Sequence, residues 1–189
     1  MEDDSSEEGT SLGVRRLCVA TAGGEPRLLS SAVHSAAFDR LYVAATSDGE
    51  IAVAPPGIDE IHLIRDLVAV VSQRSLGTGE RFPFILLALD LGIVRIVGDG
   101  FGGAGLCRVR SLASNRGVAK AASELTPRHR QGESQLMVVV PPSLHIELLA
   151  DGLAGAWHYV PDADAWLWPA DRASEALWHD ELKHHGHTG

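Results

Sequence analysis

Two hydrophobic periods alternate along the chain and mark out most of its elements. Val14 to Ala20 is a β-compatible run closed by Gly23 and Gly24, after which Leu28, Leu29, Ala32, Val33, Ala36 and Ala37 recur at helical spacing. Leu41–Ala45 and Ile51–Ala54 read as strands. Between them, Ser47-Asp48-Gly49-Glu50 is a hairpin signal, because Asp-Gly accepts the positive φ of a tight turn. Pro55 and Pro56 stop the second strand. Ile61, Ile64, Leu67, Val68 and Val71 then share one face of a helix over 58–73, with Asp59 and Glu60 in its first turn, where the helix dipole favours anions. Phe82–Leu89 is almost continuously apolar, the pattern of a central strand covered on both faces; Ile93–Val97 is expected to be a separate partner strand after a break at Gly92. A glycine-rich loop is expected from Gly98 to Gly105. Leu106–Leu112 and Val118–Leu125 predict short helices, Leu136–Val140 a buried strand, and Pro142–Leu149 a helix that its proline helps start. An Asp-Ala-Asp turn flanked by Tyr159, Val160, Trp166 and Leu167 predicts a closing hairpin over 157–168.

This mixed α/β pattern places one domain over residues 13–170. An acidic, Ser/Gly-rich leader over 1–12 is expected to be disordered, and a His-rich tail occupies 171–189. Of 189 residues, 45% are hydrophobic and 22% charged, a balance that suits one domain with a buried core. Part of the formal charge of −9 sits in Glu2, Asp3, Asp4, Glu7 and Glu8. The basic set Arg108, Arg110 and Arg116 is too small to neutralise a phosphate backbone, which argues against a nucleic-acid partner. Cys18 and Cys107 are far apart and lack metal-ligand spacing, so neither a disulfide framework nor a zinc cluster is expected. The longest apolar run is interrupted by Asp90 and Arg95, and no signal-peptide pattern opens the chain; a cytoplasmic protein away from the membrane is expected.

Several phrases change the picture when read together. Ser47-Asp48-Gly49-Glu50-Ile51-Ala52-Val53 is followed by Pro55-Pro56-Gly57-Ile58-Asp59-Glu60, then by Leu87-Ala88-Leu89-Asp90-Leu91-Gly92 and Gly100-Phe101-Gly102-Gly103. In this order they resemble the cyclase homology domains of actinobacterial signalling proteins, a branch of the class III adenylate/guanylate cyclases, over about residues 14–168. The resemblance implies an α+β sandwich with a ferredoxin-like, nucleotide-cyclase-type mixed sheet and helices packed on it. It also implies a catalytic cleft between two chains, where two carboxylates of one chain hold two metal ions and an Asn and an Arg, four residues apart on the partner subunit's helix, act on the nucleotide.

Aligned on those phrases, the sequence keeps few of the implied groups. Asp48 matches the hairpin carboxylate and is the candidate metal ligand, but the first-strand position falls on Ala20. Cys107 and Ser111 stand where the Asn and Arg would be. Arg108 and Arg110 lie close by, on different helix faces, and with Asp48 are the candidate nucleotide-binding residues. The single short helix after the first strand is also briefer than the family's usual pair. The resemblance therefore points to a degenerate pseudo-cyclase, a nucleotide-responsive or dimerising regulatory module of bacterial signalling or defence. Mg²⁺ or Mn²⁺ would accompany a bound nucleotide. One subunit of a heterodimeric cyclase and a ligand-free scaffold are the alternatives. A homodimer or a cyclase-like heterodimer is expected because the apolar strands Phe82–Leu89 and Leu136–Val140 outnumber the evident helices that could cover them.

Competing readings weigh on each candidate. Asp48 also suits a plain turn, and Gly98–Gly105 a plain connection without the Lys and Ser/Thr of a phosphate loop. Arg108, Arg110 and Arg116 also suit a solvated helix face. His179, His184, His185 and His187 with Asp180 and Glu181 have metal-compatible types, though an incidental tail explains them as well. Trp157, Trp166 and Trp168 fit core packing of the closing hairpin or a recognition surface.

Overall fold

The computed structural model describes residues 13–24, 27–35, 41–75, 83–126, 134–153 and 155–170. The expectations on Ala36, Ala37, Phe82, the acidic leader and the His-rich tail lie outside the described residues.

The first half is a βαββαβ unit: β1 (Val14–Ala22), α1 (Leu28–Ser35), β2 (Tyr42–Ala45), β3 (Gly49–Val53), α2 (Glu60–Ser75) and β4 (Phe84–Val97). Its strands lie in the order β2-β3-β1-β4 and every neighbour is antiparallel, which is the ferredoxin-like arrangement. The second half adds β5 (Gly100–Gly102), α3 (Ala104–Ala113), α4 (Arg116–Leu125), β6 (Gln135–Val140), α5 (Pro142–Ala150), β7 (His158–Val160) and β8 (Ala165–Ala170). β6 joins β4 in parallel, and β8 and then β7 continue the sheet antiparallel. The expected mixed α/β sandwich with a ferredoxin-like sheet is therefore present. Among the described residues no helix is long and apolar enough to cross a membrane.

Strand alternation divides the core in two. Leu17, Val19, Ile85, Leu87, Leu89, Leu136 and Val138 pack with α1, α2 and α5, while Cys18, Ala20, Leu86, Ala88, Met137 and Val139 pack with α3 and α4. β4 and β6 are thus covered on both faces within one chain, which is why they read as unbroken apolar runs. This corrects the reasoning from uncovered strands to a dimer: the expected surplus of apolar strand does not exist, because five helices and the tryptophan segment cover it. Trp168 is buried in the first core, with Trp157 and Trp166 packed against it.

Three further expectations are corrected. Gly92 does not break a strand; β4 runs through it for 14 residues. The glycine is needed for packing, since a Cβ there would overlap Gly105 Cα where α3 crosses the sheet. The expected loop from Gly98 to Gly105 is a tight turn, the short strand β5 and the first residues of α3, because β4 bends back on itself through β5. The Ser47–Glu50 hairpin exists, but no residue in it has positive φ. Gly49 is required there because a Cβ would overlap the Thr21 carbonyl oxygen on the adjoining β1.

Helix α1 carries no acidic residue in its first turn, and β3 supplies one. Glu50 is buried and accepts from the Leu29 amide at 2.6 Å and the Ser30 amide at 3.2 Å, with the Ser30 hydroxyl donating to it as well. A carboxylate at these otherwise unsatisfied amides both caps α1 and ties it to the hairpin.

Candidate functional site

Helix α3 turns four side chains toward one end of the sheet. Cys107, Arg110, Ser111 and the C-cap Ser114 stand at i, i+3, i+4 and i+7, so they form one stripe, with Ala113 also in the lining, while Leu106, Val109 and Leu112 bury the opposite side. The stripe borders a cavity of about 520 Å³ whose floor is Ala20, Thr21 and Ala22 of β1 with Ile51 of β3, and whose far side is Thr46, Asp48 and Glu50 of the hairpin. Its size falls in the range of small-molecule sites.

Both Asp48 and Arg110 line this cavity, one from the hairpin and the other from α3. Cys107 and Ser111, which the sequence resemblance aligns with its Asn and Arg positions, line the same wall as Arg110, and Ala20 also lines the cavity at 2% exposure. Arg108 is elsewhere. One residue beyond Cys107 it is turned about 100° around the helix, out of the lining, and its guanidinium lies 3.6 Å from the Asp90 carboxylate. Arg116 opens α4 and is not part of the lining.

The donor set can be tested against a metal. Of the carboxylates lining the cavity, Glu50 is engaged by the α1 amides and Asp48 is exposed, while the first-strand position offers only a methyl group. Among the described residues no group of three or more His, Cys, Asp or Glu could hold a metal ion. These residues do not fit a two-metal centre. The hydroxyls add little. Thr21 is used by Glu50, whose amide donates to it at 3.1 Å, and Ser114 donates to the Arg110 carbonyl at 2.9 Å.

Asp90 is a group to which the sequence assigns no role. It sits in the centre of β4 beside Cys18 of β1, is 1% exposed, and neither carboxylate oxygen accepts a well-formed hydrogen bond. Burial raises its carboxyl above the usual range, while the nearby Arg108 guanidinium and the Leu91 amide pull the other way. Burial, with the Asp90 charge beside it, also pushes the Cys18 thiol up to about 12, so this cysteine stays protonated and inert. The available signal was a charged residue inside an otherwise apolar central strand.

A second aromatic group lies apart from the cavity. His145 of α5 stacks on Trp166 at 4.2 Å and meets Trp157 edge-on at 4.9 Å; the Tyr159 ring lies 5.3 Å from that of Trp166. Burial lowers the His145 imidazole below its ordinary range, so it sits neutral in the stack.

No protein-family model and no curated protein matches the sequence. Among solved structures, the chain is similar to an adenylate/guanylate cyclase/hydrolase from Silicibacter pomeroyi at 16% identity, over 85% of this chain and 100% of that one, with a TM-score of 0.45.

Proposed function

We propose that this chain is a non-catalytic, nucleotide-cyclase-like regulatory domain that binds a nucleotide in the α3–hairpin cavity and associates through the neighbouring β4–β5 hairpin. One observation carries the reading: Asp48 of the β2–β3 hairpin and Cys107, Arg110 and Ser111 of α3, which the resemblance would place on opposite chains of a dimer, line one cavity beside Ala20 within a single chain. Degeneracy is supported by the donor set. Transition-state stabilisation by two metals needs two carboxylates placed together, and a methyl group stands where one of them belongs.

The purified chain is expected to form no cyclic AMP or cyclic GMP above blank from ATP or GTP with Mn²⁺, while a thermal-shift screen of nucleotides finds at least one that raises its melting temperature. Product that scales with protein and disappears in Asp48→Ala would overturn the non-catalytic reading. The second reading, one subunit of a heterodimeric cyclase, is favoured by the presence of Asp48, at the hairpin carboxylate position, in one cavity with Arg110. It requires activity that appears only on mixing with a partner chain carrying the complementary residues.

Support for association comes from exposed apolar side chains on the hairpin. Ile96 is 67% and Val97 63% exposed, Ile93 lies nearby on β4, and Phe101 packs against Tyr42 of β2 with ring centroids 4.8 Å apart. A second copy is the occupant this reading commits to, since the resemblance places the cleft between two chains. Light scattering over a concentration series should report a dimer, and Ile96→Glu should shift it to monomer with the circular dichroism spectrum unchanged. A monomer at tens of micromolar in the unmodified protein would remove the association proposal.

A further inference from the structure

Resting on that reading, we infer that the cavity takes a singly charged, metal-free nucleoside phosphodiester rather than a metal-bound triphosphate. Charge and donor supply decide between the two. Arg110 is the one cationic side chain in the lining, and among the described residues no ion pair engages its guanidinium. Its planar fork of N–H donors matches one phosphate group in bidentate fashion. A triphosphate brings several negative charges and relies on metal ions to offset them. Among the described residues the one uncommitted carboxylate in the lining is Asp48, because Glu50 is held by Leu29 and Ser30. Without a metal, Asp48 repels added negative charge; its role is to accept from a ribose hydroxyl or an exocyclic amine.

The rest of the surface fits the same ligand. Ala20, Ala22, Ile51 and Ala113 give a small-residue apolar floor that suits a sugar or base but provides no metal donor. Thr46 adds a hydroxyl from the hairpin side and Ser111 one from α3. A diester keeps a single charge over the whole physiological pH range, so it can pair with the one guanidinium, while Asp48 and Glu50 in the same lining oppose every further negative charge.

The test is isothermal titration and thermal shift of the intact chain with 3′,5′-cyclic AMP and 3′,5′-cyclic GMP in EDTA, beside ATP and GTP with Mg²⁺. A cyclic nucleotide is expected to bind in EDTA. At about 100 times its dissociation constant it should raise the melting temperature by roughly 5–11 °C. Arg110→Gln should weaken binding at least tenfold, and Arg110→Lys should retain part of it. Arg110 is exposed, so both variants should melt like the parent when no ligand is present. Binding of the Mg²⁺ triphosphates alone would overturn the inference and leave nucleotide binding standing. No binding by any of the four probes would overturn both, and binding unaffected by Arg110→Gln would overturn the assignment of the ligand to this cavity.

Discussion

Gly92→Val should lower the melting temperature by roughly 4–12 °C, the shift expected for about 2–3 kcal/mol lost by a domain of this size. The cost arises where α3 crosses the sheet. A Cβ at Gly92 would overlap the Gly105 backbone, and one at Gly105 would lie 2.7 Å from Cys18 Sγ and 2.9 Å from Gly92 Cα, so neither strand nor helix has room to give. The two glycines set the depth of α3, and α3 carries Cys107, Arg110, Ser111 and Ser114 into the cavity. Nucleotide binding should therefore weaken even where the variant remains folded. Gly100→Ala is the control: a Cβ there meets only Tyr42 Oη at 3.7 Å and the Val97 carbonyl at 4.0 Å, ordinary contact distances. Melting curves and titrations of both variants check the expectation. A Gly92→Val protein that melts within a degree of the parent would mean that α3 does not rest on this contact.

The second large effect concerns Asp90. Its folded-state carboxyl is raised above the ordinary value, chiefly by burial and against the pull of Arg108. For a raised group the stabilising contribution is complete below the unfolded value, about 3.9 for aspartate, and is lost as pH rises through the folded value. As pH rises, burial opposes ionisation of this carboxyl and its charge becomes a standing cost, with both oxygens lacking well-formed hydrogen bonds. Asp90→Asn removes that charge at nearly constant shape and leaves Arg108, whose side chain is 54% exposed, to solvent. The variant should be more stable than the parent by about 1–2 kcal/mol near pH 7, a rise of roughly 2–8 °C, and the advantage should shrink toward about pH 4. Melting curves across that range decide it. Destabilisation near neutral pH would show that the Asp90–Arg108 attraction outweighs desolvation.

Much of the framework was legible in the sequence because two-faced burial leaves a strong pattern. The apolar runs Phe82–Leu89 and Leu136–Val140 suit central strands, and the described residues of both lie in the middle of the sheet. Helix α2 was equally plain from Ile61, Ile64, Leu67, Val68 and Val71. Inference from glycine fared worse. Local pattern suggests a break at Gly92 and a turn residue at Gly49, yet both are demanded by close approach of other backbone segments, which local sequence does not encode. The apparent surplus of strands vanishes in the same way, because α3, α4 and α5 are short yet together help to cover the sheet on both faces.

The cavity was legible only through resemblance. Asp48 and Arg110 are 62 residues apart in sequence by their numbering, and nothing in periodicity joins a hairpin turn to a later helix stripe. Sequence alone does not separate Arg108 from Arg110, because direction around a helix depends on register, and the burial of Val109 and Leu112 is what fixes that register here. Glu50 belongs to a turn by its sequence neighbours, whereas its partners are the amides of α1.

Chemical-shift mapping of the intact, isotope-labelled chain during nucleotide titration tests the central claim most directly, since it reports where a ligand sits as well as whether it binds. The account predicts saturable shifts concentrated in Ala20–Ala22, Thr46–Ile51 and Cys107–Ser114, the three segments that line the cavity. Shifts centred instead on His145, Trp157 and Trp166, or none with any nucleotide, would contradict it.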